Sequence, residues 1–335
     1  MNARSRAAAL LEVLGVYLAG PLVTGLLIKL FDISFGNPLT GFTAAVSDAE
    51  LVEASWKMLV LLVLQYAGWF LLIVPINWYH RRRGPSAYGL TKAGRSGKAL
   101  VLAGIATAAV AAWPSIGVML LDAAYDLGPT VSWRQALFDT SWRRWEFWLF
   151  MAVLSYAFVA VVEELFFRGY FQRRLAEDWG HGPAIIGIAL LFVFAHRQYL
   201  EPNLYNASFV ASLLVLAVGL GVVFAWTGSL IPSIVAHALI NVPMTPRWHS
   251  VAFATLLMAA FLLRRRALDV AAEVFSSSSL RACVALGFAG VAWAVAAQRL
   301  PQLQYVAAAM VLVAVIIESM ERRQLRAAGP VQPSA

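Results

Sequence analysis

The chain has 335 residues, 61% hydrophobic and 13% charged, where a soluble domain carries roughly 25% charged residues. The net charge of +8 sits in short arginine clusters between apolar runs, a placement that sets membrane orientation and argues against a nucleic-acid surface. Cys283 is the only cysteine, which excludes disulfides and thiolate metal clusters.

Apolar runs of roughly twenty residues, the length a helix needs to cross a bilayer, recur along the chain. The first, 8–30, follows a basic start as a signal peptide would, but it is too long for a cleavable core and reads as an uncleaved span. Further spans are expected near 56–79, 97–121, 145–168, 183–197, 207–226, 230–243, 249–263, 281–298 and 303–320. The two longer connections are 31–55 and 122–144. The second carries Trp133 and Trp142, and Trp145 and Trp148 follow it; tryptophans at span ends are interfacial anchors.

Two of the runs are short, and Pro243 interrupts the pair 230–243 and 249–263. No strand alternation is present. The expected fold class is all-α, a polytopic transmembrane helical bundle of about 8–10 spans. It divides into N-terminal helices 1–130, a core 145–245 and accessory C-terminal helices 249–320, the final pair set off by the serines 276–279.

With the N-terminus in the cytoplasm, Arg81 to Arg83, Arg173 and Arg174, Arg264 to Arg266, and Arg322 and Arg323 all fall on the cytoplasmic side. Both termini are then cytoplasmic. Abundant Ala and Arg with few Lys fit a GC-rich bacterial genome, and hence the bacterial inner membrane.

The polar residues inside apolar runs carry the chemistry. Glu163 and Glu164 lie in "AFVAVVEELFFRGYFQRR", where a charge at mid-membrane costs about 2.5–3.5 kcal/mol on insertion scales. Arg168 is four residues after Glu164, so the two share a helix face and can form an ion pair. Glu163 is turned about 100° away and needs another partner.

His196, at the end of "LLFVFAH", supplies a candidate. Glu163 lies 17 residues before Gly180 in the intervening turn and His196 lies 16 after it. In a helical hairpin the two reach the same depth, with Phe192 one turn before His196 able to wall off the pair. His237 and Asn241 in "HALIN" share a face about 13 Å beyond the turn at Gly228. Each of these residues has a plain structural use: Glu164 with Arg168 as an ion pair, the histidines and Asn241 as helix–helix hydrogen-bonding groups. Together they suit amide hydrolysis. A carboxylate and an imidazole deprotonate water, while a histidine and an asparagine donate to an oxyanion.

"EELFFR" (163–168) resembles the EExxxR motif of the CPBP family, the CAAX proteases and bacteriocin-processing enzymes also called Abi proteins. "FVFAH" (192–196) is similar to its FxxxH motif and "HALIN" (237–241) to its HxxxN motif, in the family's order. The resemblance spans about 145–245. It implies a glutamate-dependent intramembrane endopeptidase in which Glu163 and His196 activate water. His237 and Asn241 would stabilise the oxyanion, and Glu164 and Arg168 would support the site.

No cofactor is expected. The alternative is zinc held by His196, His237 and Glu163, but no HExxH signature is present. The expected partners are the lipid bilayer and a membrane-associated peptide or protein substrate, with no nucleic acid. Two other readings stand beside the protease: a catalytically silent membrane scaffold or immunity protein, and a transporter. A transporter would carry polar breaks in both halves of an inverted repeat, and the polar residues here cluster in one region.

Overall fold

The computed structural model describes residues 3–31, 48–80, 84–92, 97–103, 105, 153, 158–196, 199, 204–241, 246–300 and 302–327. Among these no strand occurs, and the protein is an all-α integral membrane bundle. Three of the described helices are long and apolar enough to cross a bilayer: Arg4–Leu30, Val52–Tyr79 and Val210–Thr227. A fourth is reached if Phe261–Phe275 and Leu280–Ala296, bent by 91°, make one broken span. His181–Ala195 and Tyr305–Met320 are shorter apolar helices. Most of the expected span 97–121 and the first half of 145–168 lie outside the described residues, as does Pro243.

Helices α1 (Ala3–Leu30) and α2 (Asp48–Tyr79) cross where both are small. A Cβ on Gly68 would stand 2.6 Å from the Gly20 carbonyl oxygen, and one on Gly20 would fall 1.6 Å from the Trp69 ring. Backbones that close pack by dispersion, the usual device where lipid removes the hydrophobic drive between helices. Trp69 Nε1 donates to the Tyr17 carbonyl at 3.2 Å across the same crossing.

Residues 160–179 form one rod with an irregular middle. It is α-helical over Ala160–Glu164 (α3), π-helical over Leu165–Gln172 and α-helical again over Arg173–Trp179 (α4). Backbone angles stay right-handed α across both junctions, so the rod is not broken. Gly180, at φ +84°, turns the chain into α5 (His181–Ala195), which folds back along the rod. Phe167 and Phe192 meet edge-on at 5.0 Å, fixing the register of that hairpin.

Helix α6 (Leu204–Thr227) ends at Gly228, φ +68°, and α7 (Ile231–Ile240) follows. Sequence predicts a span at 230–243, but the helix there has 10 residues and reaches only about 15 Å, half the hydrocarbon thickness. Beyond it, α8 (Pro246–Phe275) runs through Arg264, Arg265 and Arg266, where the sequence suggests a loop. Arginine is a good helix former, and all three side chains lie exposed on the helix surface, Arg264 over the Phe261 ring. The break comes at the serines 276–279, as expected, before α9 (Leu280–Arg299) and α10 (Leu303–Ala327). Helix α1 packs along α10, and α9 packs along α5.

A buried polar cluster ties the ends of these helices. Glu12, in α1, accepts from Tyr170 at 2.8 Å and from Arg174 Nε at 3.2 Å, and meets His80 Nε2 at 3.0 Å. His80 Nδ1 lies 3.1 Å from Glu318 Oε1 of α10. Arg174 also contacts Glu318 at 3.3 Å and Asp178 at 2.7 Å. With a carboxylate on each ring nitrogen, His80 donates from both and carries a positive charge. Burial opposes that charge, but the hydrogen bonds and charges of Glu12 and Glu318 outweigh it and raise the His80 pKa.

Candidate active site

The site begins where the rod departs from α geometry. Glu164 is fully buried, Arg168 almost so, and Arg168 Nη1 donates to Glu164 Oε1 at 2.8 Å. The ion pair expected from the four-residue spacing therefore forms. Arg168 Nη2 donates to the Ala217 carbonyl of α6 at 3.1 Å, and the guanidinium lies 4.8 Å from the centre of the Phe192 ring. The glycine that follows permits the rod's approach to its neighbour: a Cβ on Gly169 would stand 2.6 Å from the Tyr88 carbonyl oxygen.

That neighbour is the short 3-10 helix Pro85–Tyr88, whose loop also anchors α7. Leu230 N–H donates to the Gly89 carbonyl at 2.8 Å and Thr91 Oγ1 to the Gly228 carbonyl at 3.1 Å. Arg173 Nη1 donates to the Ser86 and Ala87 carbonyls at 2.7 and 2.9 Å, fixing the loop to the rod. Ser233 Oγ donates to the Leu220 carbonyl at 3.2 Å, holding α7 against α6. The half-length helix is thus bolted in place at its start and presents His237 in its last turn.

His237 meets both glutamates. Nδ1 lies 2.8 Å from Glu164 Oε1, the oxygen that Arg168 also holds. That places a proton on Nδ1, because the carboxylate can only accept. Nε2 is turned to Glu163, 3.8 Å from Oε2. The two glutamates differ in access: the Glu164 side chain is 0% exposed and the Glu163 side chain 12%. Glu163 Oε1 accepts from the Tyr66 hydroxyl at 2.8 Å, while Oε2 has no hydrogen-bond partner. A water within hydrogen-bond reach of Oε2 can also touch His237 Nε2, since about 2.8 Å to each spans a 3.8 Å gap.

The remaining candidates lie around this pair. His196 caps α5, with Nδ1 2.8 Å from the Phe192 carbonyl and its ring 4.7 Å from the Phe192 ring. Phe192 is also 6.1 Å from the His237 ring, so both imidazoles lie near one phenyl. Asn241 follows the end of α7 and its N–H donates to the His237 carbonyl at 3.2 Å. Glu163, Glu164, Arg168 and His237 are in direct contact. His196 joins them through Phe192, and Asn241 through the backbone of His237.

Tyr66 is the site residue that sequence reasoning passes over. It is one of ten tyrosines and lies in an apolar run 97 positions from Glu163. No spacing rule connects the two.

The expectation was a metal-free site, with zinc on Glu163, His196 and His237 as the alternative. Among the described residues, a group whose ligand atoms all lie within 4.8 Å of one another is Glu12, His80 and Glu318. There Arg174 already supplies the positive charge, at 3.2 Å from Glu12 and 3.3 Å from Glu318.

Residues 144–243 match the family model described as Rce1-like, type II CAAX prenyl endopeptidase. The resemblance drawn from the three motifs is therefore borne out over this segment, which holds all six candidate residues. No curated protein and no solved structure matches the chain.

Proposed function

We propose, for a chain whose residues 144–243 carry the Rce1-like match, that it is an intramembrane endopeptidase. It cleaves a peptide bond near the C-terminus or leader of a membrane-associated protein or peptide. The observation that carries this reading is the asymmetry of Glu163: one oxygen is held by Tyr66, and the other stands unpartnered beside His237 Nε2. A carboxylate oxygen left without a partner next to an imidazole suits a general base.

In this mechanism Glu163, with His196, takes a proton from water, and the resulting hydroxide adds to the scissile carbonyl. The oxyanion receives hydrogen bonds from His237 and from Asn241. Collapse of the tetrahedral intermediate breaks the C–N bond, and Glu163 returns its proton to the leaving amine. Glu164 and Arg168 hold His237 in orientation and do not touch the substrate. No metal takes part.

The arginine clusters favour both termini in the cytoplasm, and the Ala- and Arg-rich, Lys-poor composition favours a bacterial inner membrane. The test is a comparison of membrane and secreted peptides from cells carrying wild-type or Glu163→Gln protein. A precursor that accumulates uncut only with the variant names the substrate. Indistinguishable peptide sets would transfer the weight to a silent scaffold. A farnesylated CAAX-tailed reporter peptide, chosen from the family description, provides the purified assay.

A further inference from the structure

We propose that Tyr66 is a positioning residue of this site, a part contributed by α2, outside the segment that carries the family match. The inference rests on the endopeptidase reading above and deepens it. Tyr66 is buried, 4% exposed, and its hydroxyl reaches a single carboxylate oxygen, Glu163 Oε1, at 2.8 Å.

The ring has little freedom to move. It stacks on Phe166 at 5.7 Å, meets Phe158 edge-on at 5.5 Å and lies 6.1 Å from Trp69. Trp69 is in turn tied to the α1 backbone at Tyr17. Phe166 is three residues after Glu163 in the rod, so the tyrosine docks on the same element whose carboxylate it grips. A carboxylate can rotate about its last torsion with little hindrance. A donor on Oε1 removes that freedom and leaves Oε2 aimed at His237 Nε2, 3.8 Å away.

Tyr66 therefore acts through Glu163. It sets which oxygen faces the water and keeps the general base within reach of the attacking position. Misplacement of a reacting group by about 1 Å lowers rates on the order of 10²-fold. The phenyl ring alone cannot supply this alignment, because the contact runs through the hydroxyl.

Tyr66→Phe tests the assignment, since it keeps the ring and its aromatic neighbours and deletes only the donor. Purified wild-type, Tyr66→Phe and Glu163→Gln proteins are compared on the farnesylated reporter. Dicyclohexylcarbodiimide labelling of Glu163, mapped by mass spectrometry, is measured on the wild-type and Tyr66→Phe proteins. The expected result is kcat lowered roughly 10- to 100-fold in Tyr66→Phe. KM changes less than about twofold and the thermal midpoint in detergent is unchanged, a split that a packing role would not produce. Labelling of Glu163 rises severalfold, because the carboxylate is no longer held by the Tyr66 hydroxyl.

Wild-type kcat and labelling in Tyr66→Phe, with Glu163→Gln inactive, would overturn the role of Tyr66 alone. Full activity of Glu163→Gln would overturn the general-base role of Glu163 on which the assignment rests. If wild type does not cut the reporter, labelling decides: a rise supports the assignment and an unchanged rate refutes it.

Discussion

Glu164 and His237 are joined at 2.8 Å through the same carboxylate oxygen that binds Arg168. One fully buried acid thus neutralises a guanidinium and orients an imidazole. Replacing it by Gln leaves Arg168 uncompensated in a low-dielectric setting, at a cost of about 3–5 kcal/mol. Glu164→Gln is expected to lower yield and thermal midpoint in detergent. Adding Arg168→Met to it should recover part of the stability, because the stranded charge is then gone. A single variant as stable as wild type would remove the ion pair from its structural role.

Glu163 is expected to behave in the opposite way. Its side chain is partly exposed and makes no contact with Arg168 within ion-pair distance, so Glu163→Gln should insert and accumulate normally. Peptide-bond cleavage should fall at least ~10²-fold with the base removed. Cleavage rate and membrane abundance, measured together on the two glutamate variants, separate chemistry from folding.

Prolonged treatment with chelators should leave cleavage intact, and purified active protein should carry no stoichiometric zinc by elemental analysis. Activity lost on chelation and restored only by zinc would instead make ligands of His196, His237 and Glu163.

The His80 cluster predicts a pH-dependent stability with a definite sign. The His80 pKa is raised above its ordinary value near 6.5. Its contribution is therefore fully present below about pH 6.5 and is lost as pH rises through the higher folded value. The groups facing the ring are Glu12 from α1, Glu318 from α10, and Arg174 behind both; the Tyr79 ring lies edge-on at 5.5 Å. The thermal midpoint should fall as pH is raised from 6 to 9, and His80→Gln should flatten that dependence. Equal slopes in both proteins would show that the ring does not carry the charge.

Much of the site was legible because it rests on local rules. The four-residue spacing of Glu164 and Arg168 gave their ion pair. Counting outward from Gly180 gave a hairpin register that the Phe167–Phe192 contact bears out. The partner of Glu163 was not legible, for a physical reason. The turn-by-turn arithmetic assumes 3.6 residues per turn, whereas Leu165–Gln172 is π-helical and holds more residues in each turn. Rotational phase is therefore lost between Glu163 and the turn, although the order of contacts survives. Tyr66 comes from a helix far away in sequence, and apolar periodicity carries no mark of a hydroxyl's target. The half-length of α7 was hidden as well, because Ile231–Ile240 is as apolar as a true span.

The cluster around Glu12 also constrains the order in which the chain can assemble. Glu12 lies in α1, yet Arg174 is 162 residues downstream and Tyr170 158. Until both emerge, α1 holds a carboxylate at a membrane position that disfavours it. Its final setting, with Glu318 of α10 on the far side of His80, exists only once α10 has been made. Helix α1 thus reaches its native surroundings late, and a nascent chain halted before α10 would hold His80 without Glu318.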